Sequence, residues 1–301
     1  MCVLSLRRLC VAVVALACAA PAVAGDTYVL DSTFQLELPK GVTKLASAPG
    51  IAFNSKGQMI VSHRGLRPIL VYGTDGKLLD TFGDDELTAV HGTRVDSDDN
   101  IWVTDHKNHT VIKYAPTGDV LKILGRRDMP GEDEVHFNRP TDVAFGKNGD
   151  FFVSDGYGNN RVVKFTKDYK YVKAWGKKGT KPGEFNLPHC ILTDAKGLLH
   201  VSDRENDRVQ VFDQDGNYVR HYGGFAPFGM FLTPDQTLFV ADGRAHKCLR
   251  MSLEGKVDAE WGSEGAEPGQ LNLPHGIAVD GKGNVYVGEI EGRRVQKFEK
   301  P

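Results

Sequence analysis

Two stretches of the sequence place a histidine after the same three residues, at the start of an apolar segment. They read NLPHCILTD at residues 186–194 and NLPHGIAVD at residues 272–280, with His189 and His275 in the same position. A third histidine, His91, opens the related segment HGTRVDSDDNIWVTD. Imidazole nitrogens bind zinc, and three histidines with an open fourth position are typical of catalytic zinc sites. Zinc chemistry therefore depends on whether the fold brings these side chains together.

The histidines belong to a repeat that recurs along the chain every 39 to 50 residues, and its six copies start at Pro49, His91, Thr141, His189, Phe228 and His275. Each copy begins with an alternating strand and a turn containing Asp or Asn with Gly, followed by a strand that closes on Asp or Glu in most copies. A third strand such as RVVKF and a fourth such as GNYVRHYG follow. Four short antiparallel strands at this period are typical of a propeller blade. The sequence therefore predicts an all-β protein, a six-bladed β-propeller built from NHL-like repeats.

The two ends of the sequence differ from the six copies. Residues 1–24 combine Arg7 and Arg8 with a short apolar run and end in the small residues AVA, which are the features of a signal peptide. Residues 25–301 then form one propeller domain of a secreted or periplasmic protein. Because the last copy stops after its third strand, residues 27–38 are expected to supply the fourth strand and to close the ring.

The composition of the sequence limits the kinds of molecule that the protein is expected to bind. The net charge is −2 and becomes about −4 once Arg7 and Arg8 are removed, so nothing indicates binding to nucleic acid or to an anionic membrane surface. No later segment is apolar and long enough to span a membrane. Only Cys190 and Cys248 lie outside the signal peptide, which allows at most one internal disulfide. We expect a monomer whose partner is a small-molecule or peptide substrate.

The position of the histidines within the repeat gives a geometric prediction. The innermost strand of each blade lines the central channel, and histidine opens that strand in the second, fourth and sixth copies only. Alternate positions in a ring of six have approximate threefold symmetry, so His91, His189 and His275 are expected to meet on the channel axis and to bind zinc. The alternative is three rim histidines without a ligand. The other histidines show no such pattern and are interpreted as surface or loop residues: His63, His106, His109, His136, His200, His221 and His246.

The same end of the channel should carry the loops that follow each second strand, because that strand runs antiparallel to the first. These loops include HRG with Arg64, DGYGNN with Tyr157 and DREN with Arg204. A cation and guanidinium groups favour the ionised form of a nearby phenol, so Tyr157 could act as a general base. An arginine fork could bind a carboxylate. The alternatives are a tyrosine that packs within its blade and two arginines that are solvated loop charges.

Two further positions of the repeat are interpreted as blade structure rather than as parts of an active site. One is the acidic residue that closes the second strand, and the other is the basic residue that opens the third, as in Arg161, Arg208 and Arg294. A buried carboxylate needs a partner, and a basic residue of the same blade can supply it. We therefore expect acid–base pairs inside the blades.

From about Pro49 to the C-terminus the sequence resembles the peptidyl-α-hydroxyglycine α-amidating lyase family, most densely in RPTDVAFGKNGDFFVSDGYGNNRVVKF, FNLPHCILTD, SDRENDRVQVF and LNLPHGIAVD. The resemblance implies a six-bladed propeller with one Zn2+ ion, and it implies a lyase. The implied substrate is a peptide or small molecule with a C-terminal α-hydroxyglycine, whose N–C bond is cleaved to an amide and glyoxylate. The positions that match the family are His91, His189 and His275 for the metal, Tyr157 for the catalytic tyrosine, and Arg64 and Arg204 for the active-site arginines.

The sequence departs from the family's animal members at three points. Gly158 stands where they have a cysteine after the catalytic tyrosine, and Gly276 stands where they have an aspartate at a structural calcium site. A Ca2+ ion therefore loses one expected ligand here, although Asp142 could contribute another. No copper monooxygenase domain precedes the propeller in this sequence.

Two other functions stay open at the level of sequence. One is a non-catalytic secreted NHL propeller that binds a peptide or protein partner, because propellers host both enzymes and binding modules. The other is a calcium lactonase of the gluconolactonase type, which would need carboxylate and amide oxygens around a hard cation. Histidines at the channel mouth argue against the lactonase.

Overall fold

The computed structural model describes residues 27–301, so the predicted signal peptide at residues 1–24 lies outside the described residues. The described chain forms six separate four-stranded antiparallel sheets. The innermost strands of successive sheets pack side by side in a closed ring around a central channel. The prediction of an all-β, six-bladed β-propeller is confirmed. Within residues 27–301 no helix is long and apolar enough to cross a membrane.

The first strand in the chain, β1 (Val29–Leu30), pairs at the far end of the sequence, and the next twelve strands build three blades in order. Blade one consists of β2 (Gly50–Phe53), β3 (Met59–Ser62), β4 (Ile69–Tyr72) and β5 (Leu78–Phe82). Blade two consists of β6 (Val90–Val95), β7 (Ile101–Asp105), β8 (Thr110–Tyr114) and β9 (Val120–Gly125). Blade three consists of β10 (Asp142–Phe145), β11 (Phe151–Asp155), β12 (Arg161–Phe165) and β13 (Tyr171–Trp175). In each blade the first strand is innermost and the fourth is outermost.

Blades four to six repeat this order, except that the sixth takes its outermost strand from β1. A single-turn 3-10 helix, Arg204–Asn206, follows the second strand of blade four. Blade four consists of β14 (Pro188–Thr193), β15 (Leu199–Asp203), β16 (Arg208–Phe212) and β17 (Tyr218–Gly223). Blade five consists of β18 (Pro227–Leu232), β19 (Leu238–Asp242), β20 (Lys247–Met251) and β21 (Val257–Trp261). Blade six contains β22 (Pro274–Val279), β23 (Val285–Glu289) and β24 (Val295–Glu299), together with β1.

The hydrophobic core lies between neighbouring blades. Second strands such as β15 are buried along their whole length, because each of their faces packs on another sheet. Val209 of blade four and Val240 of blade five belong to one apolar cluster, and Phe152 of blade three and Val201 of blade four belong to another. Burial on both faces explains why these strands are rich in Val, Ile and Phe. The packing also fixes each inner strand relative to its neighbours.

Closure of the ring follows the prediction for the N-terminal segment, over a shorter length than expected. Strand β1 pairs with β24, with Leu30 opposite Phe298, and completes blade six. The strand ends at Leu30, and the side chain of the next residue, Asp31, accepts hydrogen bonds from the backbone N–H and the hydroxyl of Thr33 in the turn that follows. Apolar side chains beyond this turn, including Phe34, pack against the apolar cluster between blades one and six. Residues 27–38 therefore tie blades six and one together.

The two cysteines of the described chain do not pair. Cys190 and Cys248 are both buried free thiols, on the inner strand β14 and the third strand β20. Burial raises the pKa of each thiol, which keeps both in the unreactive neutral form. The fold therefore rests on its packed core and its hydrogen bonds.

Candidate metal centre

Three histidines meet at one end of the channel, as their alternation predicts. His91 begins on β6, His189 on β14 and His275 on β22, the inner strands of blades two, four and six. Nε2 of His91 lies 3.0 Å from Nε2 of His189 and 3.2 Å from Nε2 of His275. All three side chains are buried, and one ligand atom from each falls within 4.8 Å of the others. The structure thus brings the three predicted ligands together.

The other ring nitrogen of each histidine is held by the next blade. Nδ1 of His91 hydrogen-bonds the carbonyl oxygen of Thr141 at 2.7 Å, and Nδ1 of His189 bonds that of Phe228 at 2.7 Å. Nδ1 of His275 bonds the carbonyl oxygen of Pro49 at 2.8 Å, which joins the last blade to the first. A carbonyl accepts, so each Nδ1 carries the proton and each Nε2 presents a lone pair. Such contacts orient metal-binding histidines in proteins.

The electrostatics of the cluster suit a divalent cation. Burial and the neighbouring His189 and His275 rings lower the pKa of His91 well below its usual value. Burial and Arg204 do the same for His189, and burial lowers the pKa of His275 to about 3. All three rings are therefore neutral near pH 7, and their Nε2 lone pairs converge without a donor among them. Neutral imidazoles in this arrangement fit zinc, which binds three protein nitrogens and keeps a position open.

Acid–base pairs inside the blades explain why the histidine strands start where they do. In blade four, Asp203 accepts a hydrogen bond from the backbone N–H of Asn186 at 2.6 Å and contacts Nε of Arg208 at 2.7 Å. Arg208 also donates to the carbonyls of Thr180 and Lys181, in the loop that leads to His189. The equivalent acid–base contacts in blades three and six are Asp155 with Arg161 and Glu289 with Arg294. The structural interpretation of these residues is confirmed.

The loops after the second strands are tied to the segments that precede the inner strands. The backbone N–H of Tyr157 bonds the carbonyl of Arg139 at 3.3 Å, and that of Arg204 bonds the carbonyl of Leu187 at 3.1 Å. Leu187 has a φ of 75°, an unfavourable conformation for leucine that these contacts maintain. Gly156 makes the approach possible, since a Cβ there would lie 1.9 Å from the carbonyl oxygen of Pro188. The loops are thereby fixed over the channel mouth.

Tyr157 reaches the histidine cluster directly. Its hydroxyl lies 3.1 Å from Nε2 of His189 and 3.2 Å from Nε2 of His91. Nη1 of Arg204 donates to the same hydroxyl at 3.3 Å. The side chain is half-buried, with its hydroxyl over the point where the three Nε2 atoms converge. The alternative of an aromatic residue that only packs within its blade is therefore inconsistent with its position.

Arg204 is held from two sides. Nε and Nη2 contact Oε1 of Glu205 at 2.8 and 2.7 Å, and Arg244 of blade five contacts the other oxygen of the same carboxylate. Its guanidinium lies over the ring of Phe228, 4.5 Å from the centroid. These contacts occupy one edge of the fork, while Nη1 faces Tyr157 and the end between Nη1 and Nη2 can still accept a carboxylate.

Arg64 completes the set of predicted residues on this face. Its Nε donates to the carbonyl of Val90 at 3.1 Å, next to His91. Burial lowers the pKa of its guanidinium, and proximity to the Tyr157 phenol opposes that shift. The guanidinium stays charged because the pKa of arginine is far above neutrality. All six residues singled out in the sequence thus lie around one end of the channel.

One residue of the site was missed. His106, interpreted above as a surface or loop residue, has its ring centroid 5.5 Å from that of Tyr157 and 5.9 Å from that of His91. Burial, with Arg64 nearby, lowers its pKa to about 4. The signal was its place directly after the closing Asp of the second strand, the place that Arg204 has in blade four.

The same interpretation was wrong for His200, which lies inside a strand, whereas His63 lies in a loop but is buried. His63 and His200 are each 1% exposed. His63 follows directly after the second strand of blade one, at the position where most other blades have an acidic residue, and its Nε2 bonds the carbonyl of Arg67 at 3.0 Å. His200 lies inside β15 between Asp194 and Tyr222. Both are buried because a polar partner satisfies each ring nitrogen that would otherwise be unpaired.

Deeper in the channel, the side chain of Arg94 lies against the carboxylate of Asp142. Nε of Arg94 donates to Oδ1 of Asp142 at 2.9 Å, and Nη2 contacts Oδ2 and the thiol of Cys190. The backbone N–H of Ile191 also donates to Oδ2 at 3.0 Å. A positive charge already neutralises the carboxylate that could have contributed to a Ca2+ site. The donor set at this level therefore does not fit calcium.

The Arg94–Asp142 pair gives a stability prediction. Arg94→Met should lower the free energy of unfolding by ~3–5 kcal/mol, because it leaves the Asp142 carboxylate buried without its partner. Chemical denaturation of the two proteins measures the difference. The double variant Arg94→Met/Asp142→Asn is the control and should recover part of the loss, since it removes the uncompensated charge. Equal stability of wild type and Arg94→Met would show that the pair is not needed.

Comparisons with known proteins agree with this architecture. Residues 87–114 and 137–165 match the NHL repeat. NHL repeat-containing protein 3 of Mus musculus is 31% identical over 294 residues, which cover 89% of this chain and 84% of that protein. The probable peptidyl-alpha-hydroxyglycine alpha-amidating lyase of Caenorhabditis elegans is 28% identical, with 84% of this chain and 82% of that protein covered.

Longer relatives and solved structures extend the comparison. Peptidyl-glycine alpha-amidating monooxygenase A of Xenopus laevis is 30% identical over 91% of this chain, which spans only 34% of that protein's length. A streptogramin B lyase structure superposes with a TM-score of 0.66 at 19% identity, covering 89% of this chain and 96% of that one. A gluconolactonase of Xanthomonas campestris gives 0.66 at 14% identity, with 94% and 99% covered. At these identities the two structures support the fold alone.

Together, the ring of blades and the repeat define the class: a six-bladed NHL-repeat β-propeller with three histidines at one mouth of its channel. The chain belongs to the NHL-repeat family and is homologous to the peptidyl-α-hydroxyglycine α-amidating lyases.

Proposed function

We propose that this protein is a zinc-dependent carbon–nitrogen lyase that cleaves a peptidyl-α-hydroxyglycine or a similar N-acyl-α-hydroxyglycine into an amide and glyoxylate. The observation that carries the proposal is the contact of the Tyr157 hydroxyl with Nε2 of both His91 and His189. A phenol at hydrogen-bond distance from a three-nitrogen centre is an arrangement for moving a proton at a metal site. Homology to lyases of this specificity agrees with it.

His91, His189 and His275 would hold the zinc ion through their Nε2 atoms. Their Nδ1 contacts to backbone carbonyls keep the rings in the required tautomer and orientation. Zinc, when bound, would polarise the α-hydroxyl group of the substrate and make its proton easier to remove.

Tyr157 is the proposed general base. As the phenolate, its oxygen accepts the proton of the substrate hydroxyl and becomes the neutral phenol. The two nearby guanidinium groups stabilise the negative charge of the phenolate. Only Arg204 bonds the hydroxyl directly, through Nη1. Arg64 acts across a longer distance through its charge.

Arg204 is proposed to bind the substrate carboxylate as well. Glu205 and the Phe228 ring hold the guanidinium in place, and the end between Nη1 and Nη2 stays available. A carboxylate bound there lies beside Tyr157, so the reacting carbon is held next to the base. The carboxylate leaves as part of glyoxylate.

Zinc content and glyoxylate release of purified protein test the proposal. The expected result is about one zinc per chain and release of glyoxylate from an N-acyl-α-hydroxyglycine, with equimolar amide. Treatment with a chelator should abolish the release, and added zinc should restore it. Protein that is loaded with zinc and remains inert on this substrate would leave a metal site but refute the lyase.

A second candidate function is a non-catalytic propeller that binds a peptide or protein partner. The observation in its favour is the identity with NHL repeat-containing protein 3, at 31% and 32% for the mouse and human proteins. Protein without zinc and without glyoxylate release would favour it. For either function we propose a secreted or periplasmic monomer.

A further inference from the structure

His106 is the side chain at the centre that the proposed chemistry leaves unused. Its loop position, directly after the carboxylate that closes the second strand, is the one that Arg204 has in blade four. Its ring packs against the rings of Tyr157 and His91, with centroids 5.5 and 5.9 Å apart. The imidazole therefore borders both the proposed base and one proposed metal ligand.

One nitrogen of the His106 ring has no hydrogen-bond partner among the described residues. Nδ1 of His106 is buried and makes no hydrogen bond within residues 27–301. Leaving a buried nitrogen unpaired costs free energy, so such a group calls for a ligand or a function. The side chain as a whole is only half-buried, so part of the ring is accessible from the channel mouth.

Blade order decides which part of the substrate this ring faces. Tyr157 belongs to blade three, with His106 on blade two to one side and Arg204 on blade four to the other. The reacting carbon of the proposed substrate carries a hydroxyl group, a carboxylate and the amide nitrogen. With the hydroxyl at Tyr157 and the carboxylate at Arg204, the nitrogen and its acyl group extend toward blade two.

We infer that His106 donates a hydrogen bond to the acyl oxygen of the substrate, an inference that rests on the proposed lyase activity. When the C–N bond breaks, its electron pair moves to nitrogen and is shared with the acyl oxygen, while the hydroxyl oxygen forms the aldehyde carbonyl of glyoxylate. The hydroxyl proton passes through Tyr157 to the leaving nitrogen, so the step needs no oxidant or reductant. An N–H group at the acyl oxygen stabilises the charge that develops there.

Leaving-group dependence tests this role. The substrates are N-benzoyl-α-hydroxyglycines with para substituents from methoxy to nitro, which change the stability of the departing amide anion. His106→Phe keeps the packing of the ring and removes both nitrogens, whereas His106→Gln keeps a donor. For the unsubstituted benzoyl substrate, His106→Phe should lower kcat about 10-fold, the scale of one hydrogen bond, with KM little changed. The plot of log kcat against substituent constant should also become steeper.

The controls separate this role from a structural one. His106→Gln should recover most of kcat and the wild-type slope, and zinc content should be the same in all three proteins. A His106→Phe protein with unchanged kcat overturns the inference, and so does a uniform loss with an unchanged slope, which marks a packing role. His106→Leu replaces the phenylalanine variant if the latter loses its cooperative melting transition. Wild-type protein that is inert on every substrate refutes the lyase itself, and this inference with it.

Discussion

Tyr157→Phe should lower turnover of an N-acyl-α-hydroxyglycine by ~10²-fold or more while zinc content stays unchanged, the usual scale for a lost general base. The substitution keeps the aromatic ring and removes only the hydroxyl that lies 3.1 Å from Nε2 of His189. Glyoxylate release, measured beside metal content, gives both quantities from one preparation.

A matched control uses another tyrosine of the same blade. Tyr171 lies on the outermost strand β13, away from the channel, so Tyr171→Phe should keep wild-type turnover. Full activity in Tyr157→Phe would keep the lyase but remove this phenol from its mechanism. Loss of zinc in the variant would instead mean that the hydroxyl helps to hold the metal.

His189→Ala should lose metal and activity together, because two imidazoles bind zinc much less tightly than three. Thermal stability gives a second test. Zinc should raise the melting temperature of the wild type, since a ligand that binds only the folded state stabilises it. The variant should show little of this shift. Metal analysis after dialysis and melting curves with and without zinc measure both effects.

The control for this change is a histidine of the same blade that lies far from the centre. His221 is exposed on the outermost strand β17, and His221→Ala should keep zinc, activity and the thermal shift. Retention of one zinc per chain in His189→Ala would contradict the three-histidine centre. Activity without zinc in the same variant would contradict the role of the metal.

The repeat made the fold predictable, because each copy carries its own strand and turn pattern, and four antiparallel strands per copy at this period are typical of a propeller blade. The convergence of His91, His189 and His275 followed from the same symmetry. Loop positions were predictable for Arg64, Tyr157 and Arg204 because antiparallel strands return to the level at which they start.

Features that depend on backbone atoms or on contacts between neighbouring blades could not be predicted from the sequence. The carbonyls that orient the three histidines come from Pro49, Thr141 and Phe228, whose side chains give no sign of this task. The pairing of Arg94 with Asp142 joins the inner strands of neighbouring blades two and three, so the local sequence of neither residue indicates its partner. His106 was overlooked because its local sequence is that of an ordinary polar loop.

The contact between His275 and the carbonyl of Pro49 joins the last blade to the first, and this has a consequence for how the protein matures. A chain emerging from the ribosome holds His91 and His189 long before the strand that carries His275 has been made. The third proposed ligand, His275, and the Pro49 carbonyl that orients it come together only when the ring closes. If the three histidines bind zinc as proposed, the ion should bind last, after translation and folding are complete. A stably bound ion would then show that the ring has closed.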